Sequence, residues 1–210
     1  HDAMVAAAHV ALAVQRLGGT TELSEPLYLT APPGDTSRVF ILEKYYGTIR
    51  ILRNNQILSR SFLNLGPRFK YPLGYDQGLI CMAFDPQYAQ NGYFYVVYTD
   101  SADASVLARY HVTADPDSAA FNSQLIILRN LNPTTGQNMD MIAFGPDGYL
   151  YIAYGDGGQE GYPLTAQASN DLHGKILRID VHHGLPYTIP PGNPFVSIPS
   201  FRPEIWAVGL

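Results

Sequence analysis

One strand-like segment recurs along this 210-residue chain at nearly constant spacing, and this repeat limits the fold more than any other feature. The aligned positions are Phe40, Tyr95 and Tyr151, which lie 55 and 56 residues apart. Turn signals precede each copy, and the flanking short apolar segments predict three further strands per repeat. Four antiparallel strands at a fixed period are typical of β-propeller blades, whereas a β-sandwich does not require regular recurrence. The sequence therefore predicts an all-β propeller with about three four-stranded blades.

The repeat also predicts boundaries. The three blades are expected at residues 24–66, 77–130 and 138–210, within a partial propeller domain that spans 17–210. Residues 1–16 form a separate N-terminal segment, for which an edge strand is one option. Trp206 lies 55 residues after Tyr151, but no Ala-Phe-x-Pro motif precedes it, so we assign it to the closing strand of the third blade.

Three blades do not complete a ring, because propellers close with roughly four to eight. An open stack would leave an uncovered apolar face at each end, which favours association. We therefore expect either other chains or the remaining half of a longer chain to close the ring, and we expect oligomers if other chains do so.

Charge and cysteine content exclude several classes of protein. The chain has only 13 Lys+Arg against 18 Asp+Glu and no basic cluster, so nucleic acid is not an expected partner. No apolar run approaches the roughly 18 residues of a membrane helix, so no membrane span is expected. The single cysteine, Cys81, excludes an intramolecular disulfide and a cysteine-based metal cluster. Its apolar surroundings predict a small buried side chain in a strand.

A series of ordered motifs adds a resemblance to a known family. In chain order they include Asp76-Gln77-Gly78-Leu79, Ala143-Phe144-Gly145-Pro146-Asp147-Gly148, Gly155-Asp156-Gly157-Gly158, Gly174-Lys175-Ile176-Leu177-Arg178-Ile179-Asp180 and Arg202-Pro203-Glu204-Ile205-Trp206-Ala207-Val208-Gly209-Leu210. In this order they resemble the N-terminal half of the soluble quinoprotein glucose/sorbosone dehydrogenases, which include the aldose sugar dehydrogenases. The match runs from about Leu17 to Leu210.

The resemblance implies a six-bladed propeller that binds pyrroloquinoline quinone (PQQ) at one mouth, with calcium nearby. It implies oxidation of a sugar substrate, an aldose, at its anomeric carbon, and a periplasmic or extracellular location. It also places several basic cofactor-binding residues beyond the last matched motif.

An amide occupies the position of the family's catalytic base. In the family a histidine precedes the Ala-Phe-Gly-Pro strand, in a motif resembling His-Asn-Gly-Gly. A gap-free alignment puts Gln137 in its place and retains Asn138. Histidine accepts a proton at neutral pH but glutamine does not, and loss of a general base costs about 10²–10⁴ in rate. The nearest histidines, His111 and His173, are too far along the chain for a small shift of the alignment. Asp140 is the nearby substitute, although a solvated turn explains it equally well.

Three further side chains are candidate ligands of a cofactor or metal. By resemblance, Gln77 lies near the active mouth and Asn138 belongs to the motif of the lost histidine, so both are candidate cofactor-binding residues. Asp156 is a candidate calcium ligand, because calcium prefers oxygen donors. An Asx turn within Gly155-Asp156-Gly157-Gly158 explains the same residues without a metal.

The sequence thus leaves two functions open. The first is PQQ-dependent oxidation of an aldose, supported by the length and order of the motifs. The second is a catalytically inactive propeller that acts as a binding or self-assembling module, supported by the amide at Gln137. The residues alone do not decide whether the chain is an enzyme.

Overall fold

A computed structural model describes residues 22–71, 76–158 and 165–209. The N-terminal segment predicted at residues 1–16 lies outside the described residues. Helix is confined to one turn, α1 (Tyr88–Asn91), and two short 3-10 segments in the part of the chain that is described. No helix in these ranges is long and apolar enough to cross a membrane.

Three antiparallel sheets account for the strands. The first contains β1 (Pro26–Thr30), β2 (Arg38–Glu43), β3 (Thr48–Arg53), β4 (Gln56–Ile57) and β5 (Leu63–Asn64). The second contains β6 (Leu79–Phe84), β7 (Tyr93–Thr99), β8 (Ala104–His111) and β9 (Leu125–Leu131). The third contains β10 (Met139–Phe144), β11 (Leu150–Tyr154), β12 (Lys175–Ile179) and β13 (Ile205–Val208).

Within each sheet the strands follow chain order, as in propeller blades. Two short strands, β4 and β5, both pair with β3 and share the fourth position of the first sheet. The first strands of neighbouring sheets, β1 with β6 and β6 with β10, contact one another. The predicted all-β propeller with about three blades is therefore confirmed. Trp206 lies in β13, which pairs with β12, so its assignment to the closing strand of the third blade is also confirmed.

The second sheet is buried on both faces, and β7 shows how. Phe94 and Val96 pack with residues of the first sheet, whereas Tyr95 and Val97 pack with residues of the third. Successive side chains of a strand point to opposite faces, so a strand between two sheets must be apolar at every position. Cys81 of β6 faces the third sheet and is buried, as predicted. Burial raises the pKa of its thiol.

Charged side chains join the edges of neighbouring sheets. Arg38 of β2 donates to Asp117 at 3.0 Å, and Arg53 of β3 also pairs with Asp117. Asp117 lies in the segment between β8 and β9. On the other side, the fully buried Asp85 after β6 lies 2.9 Å from Nε2 of His182, which follows β12. Each junction between two sheets therefore has a polar contact in addition to its apolar core.

Candidate active-site cavity

The candidate residues lie at one end of the second and third sheets. Strand β10 begins at Met139, β11 ends at Tyr154 and β12 begins at Lys175, and the antiparallel register places these residues side by side. The loops that carry Gln137 and Asp156 leave the sheet at this edge. Residues far apart in the sequence therefore meet here.

A cavity of about 470 Å³ opens at this edge. Its described lining residues are Asp76, Gln137, Asn138, Asp140, Ala153, Tyr154, Gly155, Asp156, Lys175 and Ile176. Four of the five side chains proposed from the sequence are among them. The fifth, Gln77, is buried at the same end of the sheet and donates from Nε2 to Asp103 at 2.8 Å, but it does not line this cavity.

Backbone hydrogen bonds hold Gln137 at the cavity. Its φ of 51° is in the left-handed region, its N–H donates to the Asp76 carboxylate, and its carbonyl accepts from Gly157 N at 2.9 Å. A non-glycine residue in this conformation is uncommon and needs such support from its surroundings. The residue itself is exposed, so its side-chain amide is available to a ligand.

The approach of β11 to this segment requires a glycine. A Cβ atom at Gly155 would lie 2.4 Å from the carbonyl oxygen of Gln137, which is backbone and cannot rotate away. Gly155 N also donates to the carbonyl of Asn138 at 3.0 Å. The position of Gln137 therefore depends on the missing side chain at Gly155.

Asn138 is the most unusual group in the cavity. It is 2 % exposed, and within the described part of the chain neither its Oδ1 nor its Nδ2 has a hydrogen-bond partner. Buried amides are almost always paired, because an unpaired group loses the hydrogen bonds that it made to water. Asn138 therefore retains one donor group and one acceptor that a ligand could use.

Asp140 and Asp76 add negative charge to the same wall. Asp140 is exposed at the cavity, near the start of β10. Partial burial and the charge of Asp76 raise its pKa. A carboxyl group with a raised pKa takes up a proton more readily than an ordinary aspartate.

Lys175 is the one cation among the described lining residues, and all three N–H donors of its ammonium group are hydrogen-bonded within the protein. The residue is fully buried, and Nζ donates to the carbonyl oxygens of Thr165 at 2.7 Å, Ala166 at 3.0 Å and His173 at 2.7 Å. An ammonium group has three donors, so this set is complete. Burial lowers the pKa of Lys175, although the Asp171 charge opposes this shift.

The described lining residues do not fit PQQ on their own. The cofactor is a tricarboxylate, and carboxylates are bound by unpaired cationic or N–H donors. This wall instead offers the carboxylates of Asp76, Asp140 and Asp156, and its lysine is saturated by carbonyl groups.

Asp156 belongs to a tight turn. Its Oδ1 accepts from Gly158 N at 2.9 Å, and Gly157 and Gly158 have φ values of 88° and 65°. Over the described ranges, no group of three or more His, Cys, Asp or Glu side chains is arranged to hold a metal ion. These residues therefore do not fit a calcium site built from side chains.

Sequence reasoning missed His173, which is distant in sequence but close in space. Its ring lies 4.6 Å from the ring of Tyr154, which lines the cavity. Asp171, two residues earlier, lies 2.6 Å from its Nδ1. The Asp171-Leu172-His173 spacing was a local signal for this pair, but only the fold reveals its proximity to the cavity.

These features define the class of protein: a β-propeller with a polar cavity at one mouth, lined by amide and carboxylate side chains. Residues 23–210 match the family model described as Glucose / Sorbosone dehydrogenase. The chain therefore belongs to the glucose/sorbosone dehydrogenase family.

Two relatives are similar in sequence over much of the chain. The Arabidopsis thaliana HIPL1 protein is 33% identical over 185 residues, which cover 63% of this chain and 27% of that protein. The Homo sapiens Hedgehog-interacting protein is 30% identical over 195 residues, which cover 84% of this chain and 28% of that protein. The chain thus spans between a quarter and a third of the length of these relatives.

A solved structure shares the fold. The PQQ-bound aldose sugar dehydrogenase from Streptomyces coelicolor superposes with a TM-score of 0.69 at 23% identity, covering 91% of this chain and 52% of that one. At this identity the likeness shows the fold alone.

The first prediction concerns Gly155. We expect Gly155→Ala to lower the free energy of unfolding by about 1–3 kcal/mol, because the new methyl group would overlap the Gln137 carbonyl. Gly136→Ala is the matched control, since its Cβ would meet only an Asp76 carboxylate oxygen at 3.7 Å. Urea denaturation of both variants checks this, and equal midpoints would contradict it.

The second prediction concerns Asn138. We expect Asn138→Leu to leave the free energy of unfolding unchanged or to raise it by up to about 1 kcal/mol, because no hydrogen bond of its side chain is lost. Asn193→Leu is the control: Asn193 is equally buried but donates to the carbonyls of Arg178 and Pro203. Denaturation curves that show the larger loss for Asn138→Leu would overturn this reading.

Proposed function

We propose that this chain is part of a sugar-binding propeller whose mouth binds an aldose-like ligand without an efficient group for removing its proton. The observation that carries this proposal is the side chain at position 137. Gln137 lines the cavity as an exposed amide, and no histidine is among the cavity's described lining residues. An amide can hydrogen-bond a sugar hydroxyl but cannot act as a base at neutral pH.

The other lining residues of the cavity support the proposal of a hydroxyl-rich ligand. Asn138 supplies an unpaired donor and acceptor, and Asp140 and Asp76 supply acceptors. In ligand cavities a few placed polar groups fix the orientation of the ligand, and each of these donors and acceptors can pair with a sugar hydroxyl. The similarity to the Hedgehog-interacting protein, whose name describes an interaction rather than a reaction, is in keeping with a binding function.

Oxidation of an aldose with PQQ is the second candidate, and membership of the glucose/sorbosone dehydrogenase family favours it. In that case cationic partners for the cofactor would come from outside the described residues. PQQ would supply the two-electron acceptor. Asp140 would be the candidate proton acceptor of this chain, since its pKa is raised. A calcium ion would likewise need ligands from elsewhere, and a periplasmic or extracellular location belongs to this proposal as a family expectation.

The third prediction tests the role of Gln137. We expect D-glucose to bind to the chain in isothermal titration, and we expect dye reduction with added PQQ to be absent or very slow. If PQQ binds, as followed by its absorbance, and the amide alone limits the rate, Gln137→His raises the rate by about 10²–10⁴, whereas Gln137→Asn does not. Turnover by the unmodified chain at a rate that Gln137→Asn leaves unchanged would show that another group is the base. If D-glucose does not bind, the proposal of sugar binding is wrong.

Exposed apolar side chains on the outer faces of the first and third sheets support the proposal that further blades complete the propeller ring. In the first sheet Tyr28 faces inward, while Leu27 and Leu29 are exposed on the opposite face of β1. In the third sheet, Met141 and Trp206 are exposed. We propose that further blades, from other chains or from the rest of a longer chain, cover these faces.

The fourth prediction follows from these faces. We expect the 210-residue chain to self-associate in sedimentation experiments, because removing apolar surface from water is favourable. Met141→Lys is expected to weaken this association, and Arg60→Glu, a change at an exposed charged site, is the control. A folded chain that stays monomeric at all concentrations would contradict the proposal that other copies complete the ring.

A further inference from the structure

A second cavity lies beside the first and contains the one buried histidine nitrogen without a partner in the described part of the chain. Its volume is about 380 Å³, and Asp156 lines both cavities. His173 lines the second cavity, is 6 % exposed, and its Nε2 has no hydrogen-bond partner. Two neighbouring cavities at one mouth therefore each contain an unsatisfied buried polar side chain.

Asp171 fixes the orientation and tautomer of this ring. Its Oδ1 accepts from the backbone N–H of His173 at 2.9 Å and lies 2.6 Å from Nδ1. Burial would raise the pKa of Asp171, but the hydrogen bonds from His173 outweigh it and the pKa is lowered. An ionised Asp171 can only accept, so the neutral ring carries its hydrogen on Nδ1 and Nε2 is a bare acceptor.

Two other polar side chains of this cavity, Asn132 and Thr165, already form hydrogen bonds within the protein. Oδ1 of Asn132 accepts from Ser105 at 3.0 Å and from the Tyr154 hydroxyl at 2.9 Å, and its Nδ2 donates to the carbonyl of Asp103. The hydroxyl of Thr165 donates to the carbonyl of Asp156 at 2.9 Å. These hydrogen bonds hold the lining side chains in place and leave few of their polar groups available to a ligand.

The side-chain groups that remain for a ligand in this cavity are mainly hydrogen-bond acceptors. The side chains of Asp156 and Asp171 are anionic, and none of the described lining residues is a lysine or arginine. An anionic ligand would be repelled, whereas a ligand that donates hydrogens would satisfy Nε2. Leu131 and Pro133 provide an apolar side, as a sugar ring with its C–H face requires.

We propose that the second cavity is a subsite for a second sugar unit, in which a sugar hydroxyl donates a hydrogen bond to Nε2 of His173. Asp156 lines both cavities, so the two lie next to each other. The proposal rests on the proposed function only for the sugar class of the ligand. Asp171 is a positioning residue, because it acts on the ligand through the His173 ring.

The fifth prediction compares a disaccharide with a monosaccharide. We expect maltose or cellobiose to bind the chain more tightly than D-glucose, because only a disaccharide reaches both cavities. His173→Phe keeps the ring packed on Tyr154 but removes the acceptor. It should weaken disaccharide binding by about tenfold or more and leave D-glucose binding within about twofold. His111→Phe is the matched control, since His111 is exposed at the end of β8.

A second measurement does not depend on the variant folding. In ¹⁵N spectra of the unmodified chain, recorded at a pH where the ring is neutral, Nε2 of His173 should show the shift of an unprotonated nitrogen, and disaccharide should move it while His111 stays fixed. If Asp171→Asn loses the Nδ1–H tautomer of His173, this would support the role of Asp171 as a positioning residue.

The outcomes separate this inference from the proposed function. If disaccharide and D-glucose bind equally and the His173 resonance does not move, the subsite is wrong while sugar binding stands. If an alkylammonium probe moves the resonance and neither disaccharide does, the sugar assignment of the subsite is wrong. If no sugar binds at all, both proposals fail.

Discussion

The structure depends on the burial of the second sheet between the first and the third. A strand such as β7 places Phe94 and Val96 in one core and Tyr95 and Val97 in the other, so each core depends on the same backbone. Apolar burial contributes roughly 25 cal/mol per Å², and side chains of this size bury large areas. The two outer sheets are therefore held in place by contact with one shared layer.

This layering also creates the cavities. Loops leave the sheets only at their ends, so the segments around Gln137 and Asp156 converge where β10, β11 and β12 terminate side by side. Close approach is possible because Gly155 leaves room for the Gln137 carbonyl. Among the described residues, this edge then contains two buried side chains with polar atoms that lack partners, Asn138 and His173. Unpaired groups of this kind lower stability, and they are expected where a protein reserves hydrogen-bonding capacity for a ligand.

Family membership and site chemistry point to different functions for this chain. The family model covers residues 23–210, yet the cavity has an amide at Gln137 and carboxylates where an anionic quinone would need cations. A fold can be retained while its site chemistry changes, because packing depends on apolar periodicity and the site depends on a few side chains. The proposed binding of a neutral, hydroxyl-rich ligand agrees with both the fold and the described residues.

Strand periodicity and turn signals are local properties, so the sequence alone predicts the repeat, the propeller class, the buried position of Cys81 and the closing strand at Trp206. It also shows that Gln137 cannot act as a base, since that depends on the side chain alone. Which distant residues meet depends instead on the packing of the sheets and loops. His173 lies 36 positions after Gln137, and only the register of β11 with β12 brings it beside Tyr154. Likewise, Lys175 donates to three carbonyl groups, and Asn138 lacks a side-chain partner among the described residues. Both depend on packing between loops, which no local pattern encodes.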